Sequence, residues 1–142
     1  MKIVLDKGSG ALKDAIMPVR AHPEDAGLDL FSREDKTIPA CSTAVFDTGV
    51  HFQIEPGYVG DVKSKSSLLL KGITTDGTVD SGFTGSVKVI LYNHSPFHYD
   101  VKAGQKIAQL VVKKIVTPEL ELVDSLEETE RGSGGFGSTG KF

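Results

Sequence analysis

Apolar and polar residues alternate along most of this chain, in runs too short for ordinary helices. The first run is MKIVL, residues 1–5. STAVFDTGVHFQIEPGYVGDVKS, residues 42–64, alternates around turn residues at Asp47-Thr48-Gly49 and Glu55-Pro56-Gly57. The pattern returns in GSVKVILYNHS (85–95), in QKIAQLVVKKIV (105–116) and in PELELV (118–123). A period of two puts successive side chains on opposite faces of a strand, so each run predicts a half-buried strand. Ile107, Leu110 and Val112 are the core candidates of the fourth run. Turn residues recur about every ten positions, the spacing of an all-β sandwich or barrel. One stretch predicts a helix of a turn or two: SSLLLKG, residues 66–72, with Ser66 or Ser67 as cap and Gly72 as terminator.

Composition narrows the picture without choosing a function. A chain of 142 residues with 39% hydrophobic residues predicts one globular domain with a real core. The net charge of −3 gives no broad attraction for duplex nucleic acid, so any phosphate site is local. Cys41 is the only cysteine, which excludes an intramolecular disulfide and a cysteine zinc site. Its expected state is a buried thiol in a reducing cytoplasm. The first residues carry no signal-peptide pattern, and no apolar run approaches the ~20 residues of a membrane span. His22, His51, His94 and His98 share no metal-ligand spacing and read as structural or surface residues.

Five stretches carry candidate chemistry: EDAGLDLFS (24–32), GDVKSKSSLLLKG (60–72), GTVDSGFTGSV (77–87), GQKIAQLVV (104–112) and RGSGGFGSTGKF (131–142). Each also has a plain reading. Asp29 can cap a turn, Lys65-Ser66-Ser67 can be a helix start, and Asp80 suits a hairpin tip. Gln109 is a polar amide inside an apolar strand. In the last stretch Gly132, Gly134 and Gly137 spell the dinucleotide-binding fingerprint, but an acidic DSLEETE precedes it and only five residues follow. Gly135 to Lys141 nearly spells a P-loop, with Phe142 where Ser or Thr would bind the metal. Neither motif has the strand and helix it needs, and the plain reading is a flexible Gly/Ser tail. Arg131 and Phe136 are unusual in such a tail: one offers a phosphate fork, the other a stacking face.

In this order the five stretches resemble the five motifs of the trimeric dUTPases: AGLDLFS, KSKSSLL, GTVDSGFTGSV, GQKIAQLVV and RGSGGFGSTG. The resemblance implies an all-β, distorted jelly-roll or β-barrel-like subunit with one short helix, assembled as a homotrimer with shared active sites. It implies a β domain over 1–130 and a glycine-rich arm over 131–142 that closes over a neighbouring subunit's site. The implied reaction is attack of water on the α-phosphorus of dUTP, giving dUMP and pyrophosphate. This would supply dUMP for thymidylate synthesis and keep uracil out of DNA. Asp80 is then the carboxylate that activates the water. Asp29 grips Mg²⁺ through a water. Lys65, Ser66, Ser67 and Gln109 meet the phosphates. The stretch from Gly77, Thr78 and Val79 to Lys88, taken as a hairpin, reads the uracil edge with its backbone. Phe83 packs under the deoxyribose. From the arm, Arg131 reaches the triphosphate, Phe136 stacks on uracil, and Gly137, Ser138 and Thr139 line the phosphates. Stable nucleic-acid or membrane binding is not implied, and the expected location is the cytoplasm. The chain departs from the family pattern at Lys65, often Arg, and at Phe83, usually Tyr. A dCTP deaminase shares the fold but needs an acid on the strand that here reads GSVKVILYN. A non-catalytic nucleotide sensor is the alternative from another class.

Overall fold

The computed structural model describes residues 1–140. Among them are ten strands and one helical turn: β1 Lys2–Leu5, β2 Gly27–Phe31, β3 Lys36–Ile38, β4 Ser42–Gln53, β5 Tyr58–Ser64, α1 Ser66–Leu69, β6 Ile73–Thr74, β7 Asp76–Asp80, β8 Ser86–Asn93, β9 Tyr99–Val101 and β10 Lys106–Lys114. Two four-stranded sheets run in the orders β1-β4-β8-β6 and β2-β10-β5-β7, and β3 pairs with β9. All the pairings between strands are antiparallel. This is the all-β jelly-roll-like subunit expected, with sheets that stay open rather than closing into a barrel. The core lies between the sheets, around Leu30, Ile38, Phe46, Leu91, Ile107 and Leu110, each almost wholly buried. Burying one such side chain stabilises the fold by about 1.5–3 kcal/mol. Strand β8 shows the cause in the sequence: Val87, Val89, Leu91 and Asn93 point inward while Lys88, Ile90 and Tyr92 point out.

Several expectations change. Asp47-Thr48-Gly49 makes no turn; it is a bulge inside the twelve-residue β4, where the register to β8 shifts between Asp47 and His51. Gly49 takes φ +65°, and its N–H donates to Asp47 Oδ1 at 2.9 Å. The Arg33 guanidinium lies against this bulge. Buried to 2% exposure, it donates to the Lys13 and Lys7 carbonyls and so ties the N-terminal segment to the body. Helix α1 starts after Lys65 with no side-chain cap, so neither serine plays that part, while Gly72 at φ +73° does end the helical turns. Cys41 is exposed, because it occupies the tight turn between β3 and β4 at φ +51° rather than an inward strand position. PELELV forms no strand: residues 118–123 are exposed and find no partner within the described residues. Val112 is half-buried against the core rather than in it.

The largest correction concerns residues 77–88. β7 pairs with β5, and β8 pairs with β4 and β6. The segment is therefore a corner where the chain leaves one sheet for the other, and it lacks the ladder of a hairpin. Its strands diverge, and the space between them is open.

Candidate active site

That opening is a cleft of 660 Å³. Gly77, Thr78, Val79 and Asp80 line one side, Ser86, Val87 and Lys88 the other, with Phe83 at the turn. β7 is the edge strand of its sheet, so the outer row of its backbone donors and acceptors faces away from β5. The turn is closed by the Phe83 N–H donating to the Asp80 carbonyl at 3.0 Å. The Phe83 ring then folds over Gly85, where a Cβ would meet its Cζ at 2.7 Å. Two carboxylates line the cleft. Asp47 accepts from the Ser86 hydroxyl and the Gly49 N–H; burial works to raise its pKa, and these bonds hold it below the ordinary carboxylate value. The Asp80 carboxylate is exposed and has no hydrogen bond or ion pair among the described residues.

A second group gathers at the far edge of the sheet that carries β7. Asp29 on β2 is 5% exposed, and Lys65 Nζ donates to its Oδ1 at 2.5 Å. Lys106 Nζ donates to its Oδ2 at 2.7 Å. Burial pushes the Asp29 carboxyl up, but the bonds from Lys106 and Lys65 outweigh it and hold the pKa below the usual range. Gln109 stands opposite Asp29 in the ladder, and its Nε2 donates to the Ser64 carbonyl at 3.2 Å. Ser66 and Ser67 are exposed on α1 beside Lys65. One carboxylate against two ammonium groups leaves this corner with a local charge of +1 in a chain of net charge −3.

The tail is the third part. Beyond Ile115, every hydrogen bond among the described residues stays within residues 129–140. Arg131 Nε donates to the Gly134 carbonyl at 2.9 Å, and turns close at 129–132, 131–134, 135–138 and 137–140. Phe136 is fully exposed at φ +45°, followed by Gly137 at φ +93°, with Ser138 and Thr139 exposed beyond. Lys141 and Phe142, the end of the near P-loop, lie outside the described residues.

Within one chain these parts do not meet. Asp29, Gln109, Lys63 and Asp76 form one row across the sheet. Asp80 lies three strands and four residues from Asp29, roughly 20 Å at ordinary strand spacing and rise. Sequence reasoning missed Asp47 and Lys106. Asp47 read as a turn residue, because its cleft role comes from a register with Ser86 and Lys88 about forty residues on. Lys106 sat inside the GQKIAQLVV stretch, passed over for the odder Gln109. Among the described residues no three His, Cys, Asp or Glu side chains converge as a metal cage. With both oxygens engaged by lysines, Asp29 fits a water on Mg²⁺ rather than the ion, which would take its oxygens from a polyphosphate and water.

A family model described as dUTPase matches residues 13–140. The deoxyuridine 5′-triphosphate nucleotidohydrolase of Clostridium tetani is 44% identical over 133 residues, covering 91% of this chain and 92% of that protein. The enzyme of the same name from Saccharomyces cerevisiae is 43% identical over 129 residues, 89% of this chain and 88% of that one. Among solved structures, the Staphylococcus bacteriophage 80alpha dUTPase with dUpNHpp superposes with a TM-score of 0.85 at 30% identity, over 99% of both chains. A mutant dUTPase from phage phi11 of S. aureus, described for its coordination of a structural Mg(II) ion, gives a TM-score of 0.77 at 28% identity, over 90% of this chain and all of that one.

Proposed function

The chain belongs to the dUTPase family, and from that membership we propose that it hydrolyses dUTP to dUMP and pyrophosphate in sites shared between the subunits of a homotrimer. The observation that carries the reading is the unpaired, exposed Asp80 at the mouth of a cleft walled by strand backbone. Uracil is small and neutral, and its edge alternates acceptors and a donor. The outer edge of β7 offers the complementary groups at Gly77, Thr78 and Val79. Phe83 packs under deoxyribose and fills the space of a 2′-hydroxyl. Asp80 accepts the proton of the water that attacks the α-phosphorus, and pyrophosphate leaves. Lys88 borders the same cleft. Lys65, Ser66, Ser67 and Gln109 hold the phosphates, and Asp29 orients a water of the Mg²⁺ that the triphosphate carries. When bound, Mg²⁺ neutralises charge on the departing phosphates. The chain's own residues orient the water and take its proton.

The roughly 20 Å between Asp80 and Asp29 supports shared sites. A triphosphate touching both groups must draw them from different subunits. The segment that leads to the arm supports the same reading: Val116, Leu120, Leu122 and Leu126 are almost fully exposed in a single chain. Apolar residues in such a row suit burial against a neighbour. The arm then brings Arg131, Phe136, Gly137, Ser138 and Thr139 over the nucleotide. Such an enzyme supplies dUMP for thymidylate synthesis and keeps uracil out of DNA.

The test is a nucleotide panel with Mg²⁺, followed for pyrophosphate and for ammonia. Pyrophosphate from dUTP alone is the expected result. Ammonia from dCTP makes the chain a deaminase, and silence on every nucleotide makes it a sensor; either overturns the proposal.

A further inference from the structure

We infer that His51 is a positioning residue for this reaction, a doubly donating clamp that fixes the turn carrying Phe83 by tying the Thr84 carbonyl to β4 and Asp6. The inference rests on the placement of Asp80 and Phe83 proposed above. The ring of His51 bridges two groups: its Nδ1 lies 2.8 Å from the Thr84 carbonyl oxygen, and its Nε2 lies 3.0 Å from Asp6 Oδ1. A carbonyl and a carboxylate can only accept, and a neutral imidazole has one N–H to give. Both contacts are hydrogen bonds only in the imidazolium form. The surroundings favour that form. The Thr84 carbonyl raises the ring's pKa, burial opposes it, and the Asp6 and Asp47 carboxylates add to the rise. The charged groups around the ring are Asp6 after β1, Asp47 on β4, and Arg33 after β2, 3.5 Å from Asp6 Oδ2. Lys2 of β1 lines the same shallow groove.

The position matters because the corner between β7 and β8 belongs to neither ladder. Asp80 is the last residue of β7, opposite Val59. The turn after it is held at its start by the Phe83 N–H on the Asp80 carbonyl. Thr84, next to Phe83, is held by His51. Remove that second tie and Phe83 is anchored from one side only. The pH sense follows from the raised pKa. The clamp is complete at low pH and loses one of its two bonds as pH rises through the folded-state pKa, which lies above the ordinary imidazole value of about 6.5.

Two measurements test this on the full chain. Long-range ¹H–¹⁵N NMR of the His51 ring across pH reads its protonation directly. It should show both nitrogens protonated at pH 6, a deprotonation midpoint above that of free imidazole, and a Thr84 amide that shifts with the same midpoint. Steady-state kinetics on dUTP should show KM rising severalfold through that midpoint while kcat changes less. His51→Phe should raise KM about tenfold at every pH and erase the step. His51→Gln, whose amide donates without titrating, should recover part of the affinity and also lack the step. A ring with a single proton at pH 6, or a folded His51→Phe protein with unchanged KM and pH profile, overturns the inference. If His51→Phe fails to fold, the wild-type ring and the Thr84 amide decide. Those signals need no turnover, so an inactive protein with an intact clamp would sink the proposed reaction and leave the clamp standing.

Discussion

The cleft under Asp80 and the cluster around Asp29 sit at opposite edges of one sheet and are built on opposite plans. In the cleft the Asp80 carboxylate is exposed and unpaired, beside the free backbone of an edge strand. In the cluster the carboxylate is buried and both its oxygens are taken by ammonium groups. The difference follows what each must do. A neutral base needs directional donors and acceptors, which an unpaired strand edge supplies without a buried charge. A polyphosphate needs positive charge, and lysines held together in a folded protein repel one another. Asp29 keeps them in place until an anion arrives, because leaving a half-buried charge unpaired is costly. On the proposed function, a phosphate bound there competes with Asp29 for Lys65 and Lys106, which makes the resting pairs a placeholder for the bound state.

The deepest cut into this comparison is Asp80→Asn. An amide keeps the shape and loses the basicity, so turnover should fall about a thousandfold, near 4 kcal/mol of barrier, while dUTP affinity by calorimetry stays close to wild type. More than a tenth of wild-type activity would take the base role from Asp80. Next comes deletion from Arg131 onward. Among the described residues the tail makes no hydrogen bond to the body, so melting should barely move, while catalysis drops about a hundredfold because lid closure is lost. Mixing truncated chains with Asp80→Asn chains should restore part of the activity if arm and base come from different subunits. A truncated protein as fast as the full chain would leave the tail a plain linker.

The cluster breaks more gently. Lys65→Ala should raise KM for dUTP about tenfold, near 1.4 kcal/mol, and Lys65→Arg should stay active since a guanidinium also pairs with phosphate. Loss of activity in a folded Lys65→Arg protein would mean that the lysine geometry is itself required. The acid limb adds a check. Asp29 has a depressed folded-state pKa, so the stability from its pairing is whole above the ordinary carboxylate value of about 3.9 and is lost as pH falls through the lower folded-state value. In Lys65→Ala one of the two bonds that depress it is gone. Its acid unfolding should begin at a higher pH than in wild type, as followed by circular dichroism.

Much of this was legible in the chain because it depends on local pattern. The alternation of β8 states which side chains face the core, and Gln109 stood out as a polar amide inside an apolar strand, whereas Asp80 suited a hairpin tip and was marked out by the resemblance. What could not be read is partnership. PELELV alternates like a strand, but alternation names a face and not a neighbour, and no strand within the described residues pairs with it. Residues 77–88 read as a hairpin because turn chemistry is local, while the assignment of β7 and β8 to different sheets depends on β5 and β4. The Asp29–Lys65 pair spans 36 residues and Asp47–Ser86 spans 39. Neither has a short-range signature. Gly49 looked like a turn glycine, and the buried Arg33 that packs against its bulge lies outside its run.

The finest probe is one methyl group. At Gly27 a Cβ would stand 2.0 Å from Gln109 Oε1 and 2.9 Å from Cδ. Gly27 has no positive φ, so alanine can take its backbone conformation, and the obstacle is the free end of a flexible amide. Gln109 should swing aside, giving up its bond to the Ser64 carbonyl, a half-exposed neutral contact of about 0.5–1.5 kcal/mol that water can partly replace. Melting should therefore hold nearly constant while KM for dUTP rises a few fold, because the displaced amide no longer points at the phosphates. Gly49→Ala is the matching change in the other sheet and should do the reverse. Its Cβ would meet Arg33 Nη1 at 2.3 Å with φ at +65°, and Arg33 is buried and tied to the Lys13 and Lys7 carbonyls. Nothing there can swing away, so the cost falls on the fold. Thermal melts and dUTP kinetics on both variants decide the matter. If Gly27→Ala lowers the melting temperature as far as Gly49→Ala does, Gln109 is a packing residue and its place among the phosphate contacts falls.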